Sequence, residues 1–391
     1  DHAYELKDQH RFFNPTKHSE NDQPLPPIQK NTGFYGTTEV TDKIIHYLKG
    51  HQKNHQNQPF FAYLAYAAPH FPLHALPEDI KKVGERYKDG WDVIRKQRQK
   101  NIKKLGILNT KLSDVLPEVG PPYHFPESLE MLGPNEVNQS VPWNTLTPGQ
   151  KKFQQDKMTL HAAMIERMDL EIGRVIQQIK NMKQYKDTLI VFLSDNGASA
   201  EIMVRGDGHN PEAKPGSAES HLCLGPGWST VANTPFKKHK TWNHEGGIST
   251  PFIAHWPNGI EAKGELRKHV AHVIDILPTI LDITQTTTSH KIPLPGKSIK
   301  SSFDDNSTKE RTLWFAHDNH HAIRKGDWKL VKSFGQKWEL YNLSEDRSET
   351  SNLASKFPEK VQSLEKAWND KVTYFKSHAP KPLPKKKKKT K

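Results

Sequence analysis

The sequence predicts an α/β fold: a doubly wound, mainly parallel sheet flanked by helices, followed by a smaller C-terminal antiparallel sheet with a helix. Two observations predict it. Up to about residue 300, short and nearly continuous apolar runs alternate with segments of helical periodicity, as buried parallel strands alternate with crossover helices. Beyond that point, short alternating strands are separated by turns, which is typical of an antiparallel meander.

Three apolar runs are predicted to be strands of the large sheet. They occupy residues 59–66, 189–194 and 252–256. Each is short and dense in apolar residues, as expected of a strand that is buried on both faces. The first run is followed by Pro69 and Pro72, which force a loop directly beyond its end.

Helices are predicted where apolar residues recur every three or four positions. The predicted helices cover residues 38–48, 91–105, 161–179, 273–283 and 358–375. Residues 1–33 and most of 76–146 lack a sustained period and are predicted to be irregular. The sequence contains no apolar run of roughly eighteen residues, so it predicts no transmembrane segment.

The change of pattern predicts three parts. Residues 1–300 form the large domain, residues 301–378 a subdomain of antiparallel strands with a closing helix, and residues 379–391 a lysine-rich tail that is disordered. The subdomain strands are predicted at 313–317, 321–324, 328–332 and 338–342. Its tryptophans carry too much apolar surface for an isolated module, so we expect it to dock on the large domain.

The formal net charge of +13 does not by itself indicate a nucleic-acid-binding protein. Seven of the lysines lie from Lys381 onward, so the rest of the chain has a net charge of only +6. That remainder suits an enzyme for anionic substrates and equally an ordinary globular protein, and we expect no nucleic-acid partner. The tail is predicted to be a solvated segment, with a polyanion-binding arm as the alternative.

Cys223 is the single cysteine, which rules out an intrachain disulfide and a cysteine-based zinc site. Its context, Leu-Cys-Leu-Gly-Pro, predicts a loop thiol without a nucleophilic role.

Polar residues follow two of the predicted strands, at the edge where open parallel sheets collect ligands. His70 follows the first strand, and Asp195 and Asn196 follow the second. A carboxylate and an amide carbonyl are hard oxygen ligands that suit calcium or magnesium. Taken alone, however, Asp-Asn-Gly is also a common turn sequence, and a lone histidine is often structural.

A third candidate segment contains Lys240, which lies five residues before Glu245 and the glycine pair Gly246-Gly247. The lysine ammonium is a compact charge with three donors and can bind a tetrahedral anion. By itself, the run of Lys237, Lys238 and Lys240 could equally be a solvated basic loop.

Together these segments resemble the formylglycine-dependent, arylsulfatase-like sulfatases of the alkaline-phosphatase superfamily. The resemblance rests on the Ala-Ala-Pro-His70 segment, on Phe192-Leu-Ser-Asp-Asn-Gly and on the Lys240-x-x-x-x-Glu-Gly-Gly pattern. It runs from about residue 33 to 375 in the family's order. It implies an alkaline-phosphatase-like fold and sulfate-ester hydrolysis.

The resemblance also implies the site residues. His70 and Lys240 would be the catalytic and substrate-binding residues, and Asp195 and Asn196 would bind Ca²⁺, with Mg²⁺ as a possible substitute. The family's nucleophile is a formylglycine made from a Cys- or Ser-x-Pro-x-Arg motif, and this sequence lacks that motif. We therefore expect an N-terminally truncated chain whose nucleophile lies upstream, and expect these 391 residues alone to be inactive.

The same resemblance implies a sulfated small molecule or polysaccharide as substrate, a formylglycine-generating enzyme as partner, and a periplasmic or secreted location. Two alternatives stay open. One is a phosphodiester or phosphonate hydrolase of the same superfamily, and the other is a non-catalytic fragment that binds polyanions.

Overall fold

The structure is a computed structural model that describes residues 2–8, 11–206, 208–288, 293–306 and 310–379. All of the predicted tail except Ala379 lies outside this range. The architecture is α/β, with a main sheet region and a C-terminal antiparallel sheet closed by a helix, which confirms the predicted fold class. Among the described residues, no helix has the length and apolar character needed to cross a bilayer.

The helices of the described chain include every predicted one, although several extend further than the periodicity indicated. They are α1 (Gly36–Asn54), α2 (Pro77–Val83), α3 (Gly90–Lys104), α4 (Pro126–Leu132), α5 (Pro148–Asn181), α6 (Gly225–Ala232), α7 (Glu245–Ile248), α8 (Ile276–Thr284) and α9 (Pro358–His378). Helix α5 begins thirteen residues before the predicted start because Thr147 and Gln150 form a capping box there and Pro148 occupies the first turn. Helices α2 and α4 lie in the segment that was predicted to be mostly irregular.

The strands form three antiparallel sheets. They are β1 (Tyr4–Leu6), β2 (His18–Glu20), β3 (Gln23–Pro24), β4 (Ile190–Leu193), β5 (Phe252–His255), β6 (Thr312–His317), β7 (His320–Lys325), β8 (Trp328–Lys332) and β9 (Glu339–Asn342). The first sheet corrects the prediction that residues 1–33 are irregular; its strands of two or three residues are too short to show a period.

The main sheet differs from the prediction in two respects. Strands β4 and β5 pair antiparallel, with Ile190 opposite His255, and no parallel pair occurs among the described residues. The direction of pairing depends on the path of the intervening loop, which an apolar run does not encode. Residues 59–66 form no strand, and Phe61 and Tyr63 are 76% and 84% exposed. Without a neighbouring strand in the described chain, their backbone has no ladder to join.

The C-terminal subdomain matches the prediction closely. Strands β6 to β9 form a four-stranded meander in sequence order, and α9 packs on one face. Trp368 and Leu364 of α9 are buried against Ile323, Leu330 and Leu340 of the sheet. This apolar layer is the core of the subdomain.

The subdomain also contacts the large domain through buried ionic groups. Lys329 of β8 is fully buried, and its ammonium lies 2.8 Å from carboxylate oxygens of both Glu245 and Glu349. Arg347 pairs with the other oxygen of Glu245 at 2.6 Å. Because Glu245 begins α7, these ion pairs fix the meander against the loop that contains Lys240.

Candidate active site

The Asp-Asn-Gly turn after β4 packs directly on the Glu-Gly-Gly segment. The backbone N–H of Gly197 donates to the carbonyl of Gly247 at 2.9 Å. A Cβ atom at Gly197 would lie 1.8 Å from the carbonyl oxygen of Gly246, and one at Gly246 would lie 2.2 Å from that of Lys238. Only glycine permits this approach of two backbones, which explains why both motifs contain it.

Asn233 at the end of α6 holds the same two segments together. Its side-chain oxygen accepts from the N–H of Ala198 at 2.7 Å, and its amide donates to the carbonyls of Ala198 and Lys238 at 3.1 and 3.2 Å. The backbone N–H of Lys240 also donates to the Ala198 carbonyl, at 3.0 Å. The backbone of Lys240 is therefore held at Ala198, the residue that follows Asn196 by two positions in the neighbouring segment.

The side chain of Lys240 lies between a histidine and a carboxylate. Its ammonium nitrogen is 3.5 Å from Nε2 of His70 and 3.3 Å from an oxygen of Glu201. Glu201 is 5% exposed, and the same oxygen accepts from the hydroxyl of Ser199 at 2.7 Å. The structure thus brings His70 and Lys240 together across 170 positions of sequence.

The hydrogen bonds of His70 define its tautomer. Nδ1 lies 2.8 Å from the carbonyl oxygen of Phe71, which can only accept, so Nδ1 carries the proton and Nε2 presents its lone pair toward Lys240. Partial burial lowers the pKa of His70 below its ordinary value, and the positive charges of Lys240 and Arg205 lower it further. His70 is therefore a neutral acceptor at neutral pH, and in its protonated form a stronger acid than an ordinary histidine.

Asp195 and Asn196 carry the kind of oxygen atoms that bind calcium, but two residues alone supply too few of them for a complete site. The side chain of Asp195 is exposed, and neither residue has a side-chain partner among the described residues. Free carboxylate and amide oxygens are suitable ligands, but calcium takes about six or more. In the described part of the chain, no three histidine, cysteine or acidic side chains cluster closely enough to bind a metal.

Two lysines beside Lys240 do not form a solvated basic loop. The ammonium of Lys237 donates to Glu339 and to the hydroxyl of Tyr341, at 3.0 and 2.9 Å. The ammonium of Lys238 donates to Ser333 at 2.5 Å. Their partners belong to β9 and to the residue after β8, so both lysines connect the loop to the meander.

Three other reactive side chains near the motifs are buried. Nε2 of His74 donates to the carbonyl of Ser220 at 2.8 Å, and Nε2 of His244 lies 3.1 Å from an oxygen of Glu339. Both lie in loops. Cys223 is fully buried, and burial raises the pKa of its thiol to about 12. A thiol in this environment stays protonated and cannot act as a nucleophile at neutral pH.

Sequence reasoning missed Glu201 and Arg205. Glu201 stands in the otherwise apolar run Ala-Glu-Ile-Met-Val, and a lone acid among buried residues was a usable signal. Arg205 lies at the end of the same run, and its guanidinium is 5.6 Å from the centre of the Phe71 ring. No sequence pattern links Arg205 to Phe71, because the contact depends on the fold.

Comparison with known proteins places these residues in a family. The sulfatase model matches residues 3–286, and a model described as N-sulphoglucosamine sulphohydrolase, C-terminal, matches residues 236–377. An uncharacterized sulfatase of Schizosaccharomyces pombe is 30% identical over 388 residues, covering 91% of this chain and 64% of that protein. An arylsulfatase of Klebsiella aerogenes is 32% identical over 260 residues, covering 64% of this chain and 50% of that protein. The chain spans about half to two thirds of the length of these relatives.

A solved structure shows the same fold. The structure of a protein in complex with its substrate D-glucosamine-2-N,6-O-disulfate matches with a TM-score of 0.59 at 16% identity, covering 97% of this chain and 77% of that one. The first family model alone covers well over half of the residues, and the second overlaps it and continues through the meander and α9. The chain belongs to the sulfatase family.

Proposed function

We propose that this chain forms part of a calcium-dependent sulfuric ester hydrolase whose formylglycine nucleophile lies outside the 391 residues. The observation that supports this most directly is the contact between the Lys240 ammonium and Nε2 of His70 at 3.5 Å. The backbone of the same lysine is hydrogen-bonded to Ala198, in the loop that presents the oxygens of Asp195 and Asn196. A cation, an imidazole and two metal ligands together suit the cleavage of a tetrahedral anionic ester.

Lys240 would bind a sulfate oxygen. Its ammonium is held by Glu201 and is only partly exposed, so its charge acts in a less screened environment than on the open surface. Glu201 and Nε2 of His70 engage two of the three protons of the ammonium, which leaves a donor for the substrate. Charge that shifts onto the sulfate oxygens in the transition state would be stabilised here.

His70 would protonate, or donate a hydrogen bond to, the oxygen of the leaving alcohol or phenol. Nδ1 is already committed to the Phe71 carbonyl, so a proton taken up by the ring is carried at Nε2, on the side of Lys240. The lowered pKa makes that proton easier to transfer. Because the pKa of His70 is lowered, its protonated fraction becomes large only at a more acidic pH than for an ordinary histidine. The donor role of His70 therefore becomes stronger on the acid side.

Calcium, bound by Asp195, Asn196 and further oxygens, would neutralise sulfate charge during the reaction. The substrate that we propose is a sulfated sugar or an aryl sulfate. We further propose that a formylglycine-generating enzyme matures the protein. The mature protein would act in a periplasmic or secreted location.

The proposal is tested by hydrolysis of matched sulfate, phosphate and phosphonate esters of one phenol. The protein is produced at its natural length together with a formylglycine-generating enzyme, and the 391-residue chain is assayed beside it. We expect a preference for the sulfate ester at natural length and no turnover by the 391-residue chain. A preference for the phosphate or phosphonate ester would assign the protein to the other hydrolases of this fold. Anion binding without turnover of any ester would contradict an enzymatic role.

A further inference from the structure

Arg205 is a second exposed cation beside His70. Its guanidinium carbon lies 5.6 Å from the centre of the Phe71 ring, and the Phe71 ring lies 4.2 Å from the ring of His70. Arg205 itself is exposed, whereas Phe71 is only 7% exposed. The guanidinium is thus within cation–π distance of a ring that itself contacts His70, and Arg205 is accessible to a ligand there.

Arg205 is exposed and has no acidic partner among the described residues, whereas several other arginines are paired with acids. Arg167 pairs with Asp79, Arg174 with Glu171, and Arg347 with Glu245. No hydrogen bond or ion pair of the Arg205 side chain occurs in the described part of the chain. An exposed guanidinium whose five N–H donors have no partner in the described part of the chain is suited to bidentate binding of a carboxylate or sulfate group.

Two cations from different segments therefore lie near His70, and the charge of each acts on its imidazole. Lys240 is 3.5 Å from Nε2 of the imidazole, while Arg205 reaches the same residue through Phe71. Lys240 is already engaged by Glu201, and its role in the proposed function is to bind the sulfate group that is cleaved. A second anionic group on the same substrate molecule would find its binding partner in Arg205.

We propose that Arg205 determines specificity for substrates that carry a second anionic group, either another sulfate or a carboxylate, near the ester that is cleaved. This inference rests on the proposed function, because Lys240 must first bind the reacting sulfate. It assigns a substrate class to the site: doubly charged sulfated sugars are preferred over singly charged ones.

Binding measurements test the inference without requiring turnover. Calorimetry on the natural-length protein would compare three ligands, namely a monosulfated neutral sugar, its disulfated counterpart and a monosulfated sugar that also carries a carboxylate. The variants are Arg205→Gln, Arg205→Lys and Lys240→Ala, and Lys49→Gln is the control, since it removes one exposed positive charge from α1. Measurements at two salt concentrations would separate direct pairing from general attraction, which salt screens.

We expect the wild type to bind at least one doubly charged ligand about five-fold more tightly than the monosulfated sugar, the size expected of an exposed ion pair. Arg205→Gln should abolish this ratio and leave monosulfate affinity nearly unchanged. Arg205→Lys should retain part of the ratio, and Lys49→Gln all of it. Lys240→Ala should weaken the binding of all three ligands.

An unchanged ratio in Arg205→Gln, or a wild-type protein that binds all three ligands equally, would overturn the inference. Failure of every ligand to bind even the wild type would instead count against the proposed function. The increase in affinity for the disulfated ligand, compared with that for the carboxylated ligand, would show which second anion Arg205 binds.

Discussion

Replacing Lys329 by methionine tests how the C-terminal meander supports the Lys240 loop. Lys329 is fully buried, and its ammonium contacts Glu245 and Glu349, both at 2.8 Å. Methionine has a similar length and fits the space, but it leaves two buried carboxyl groups without this cation. Hydrogen bonds to charged groups contribute about 1.5–3 kcal/mol each, and breaking a buried ion pair costs about 3–5 kcal/mol.

We therefore expect Lys329→Met to lower the free energy of unfolding by about 4 kcal/mol, a large share of the roughly 5–15 kcal/mol typical of a native protein. The assay is urea unfolding at pH 7, followed by circular dichroism and tryptophan fluorescence. A loss below about 1 kcal/mol would refute the reasoning, because a contribution of that size is typical of a solvent-exposed ion pair.

The two glutamates provide an internal comparison. Burial alone would raise the pKa of Glu245, but Arg347 and Lys329 outweigh it and hold this pKa at about 2. Burial and the adjacent Glu245 instead raise the pKa of Glu349. Glu349→Gln should thus cost less than Glu245→Gln, because the surroundings of Glu349 favour the charged carboxylate less than those of Glu245, which two cations contact. An equal cost for the two variants would contradict this assignment of charge.

Two further changes concern packing and acid stability. Gly246→Ala should cost more than about 2 kcal/mol, because its Cβ would lie 2.2 Å from the Lys238 carbonyl oxygen; Gly173→Ala is the control, since open space surrounds that site on α5 and alanine favours helix. Equal urea midpoints for the two variants would contradict the close backbone approach. Burial, aided by nearby cations, lowers the pKa of His161 to about 4 and of His239 to about 3. As the pH falls, the unfolded state takes up these protons at a higher pH than the folded state does. The stabilisation is therefore fully present above about pH 6.5, and below it the free energy of unfolding falls by roughly 1.4 kcal/mol per pH unit for each histidine. Urea unfolding at pH 7 and 5 checks this; a slope that His161→Gln leaves unchanged would count against it.

The parts of the fold that the sequence predicted well are those in which local pattern and burial agree. Strands β7 and β8 were predictable because each is a short run with buried apolar residues, such as Ile323 and Leu330, and a turn sequence separates the two runs. The strand predicted at residues 59–66 was wrong, because a dense apolar run indicates a capacity for burial but does not supply a pairing partner.

The candidate site shows the same division. Gly197 and Gly246 were visible as motif residues, and their role as points of backbone approach became clear only from the contact between the two segments. That Lys240 and His70 belong to one site was implied by the family resemblance. Glu201 and Arg205 were not predicted, since their roles depend on tertiary neighbours that no spacing rule connects.

The most direct test of the proposed site is the kcat/KM of the matured, natural-length protein on a sulfate ester, measured for Lys240→Ala against Cys223→Ala. Removal of one preorganised charge at a transition state costs about 10²–10³-fold in rate, so we predict a loss of that size for Lys240→Ala. Cys223 is buried with a raised thiol pKa, and Cys223→Ala should keep wild-type turnover. Turnover that survives Lys240→Ala, or that disappears with Cys223→Ala, would contradict the assignment of the site.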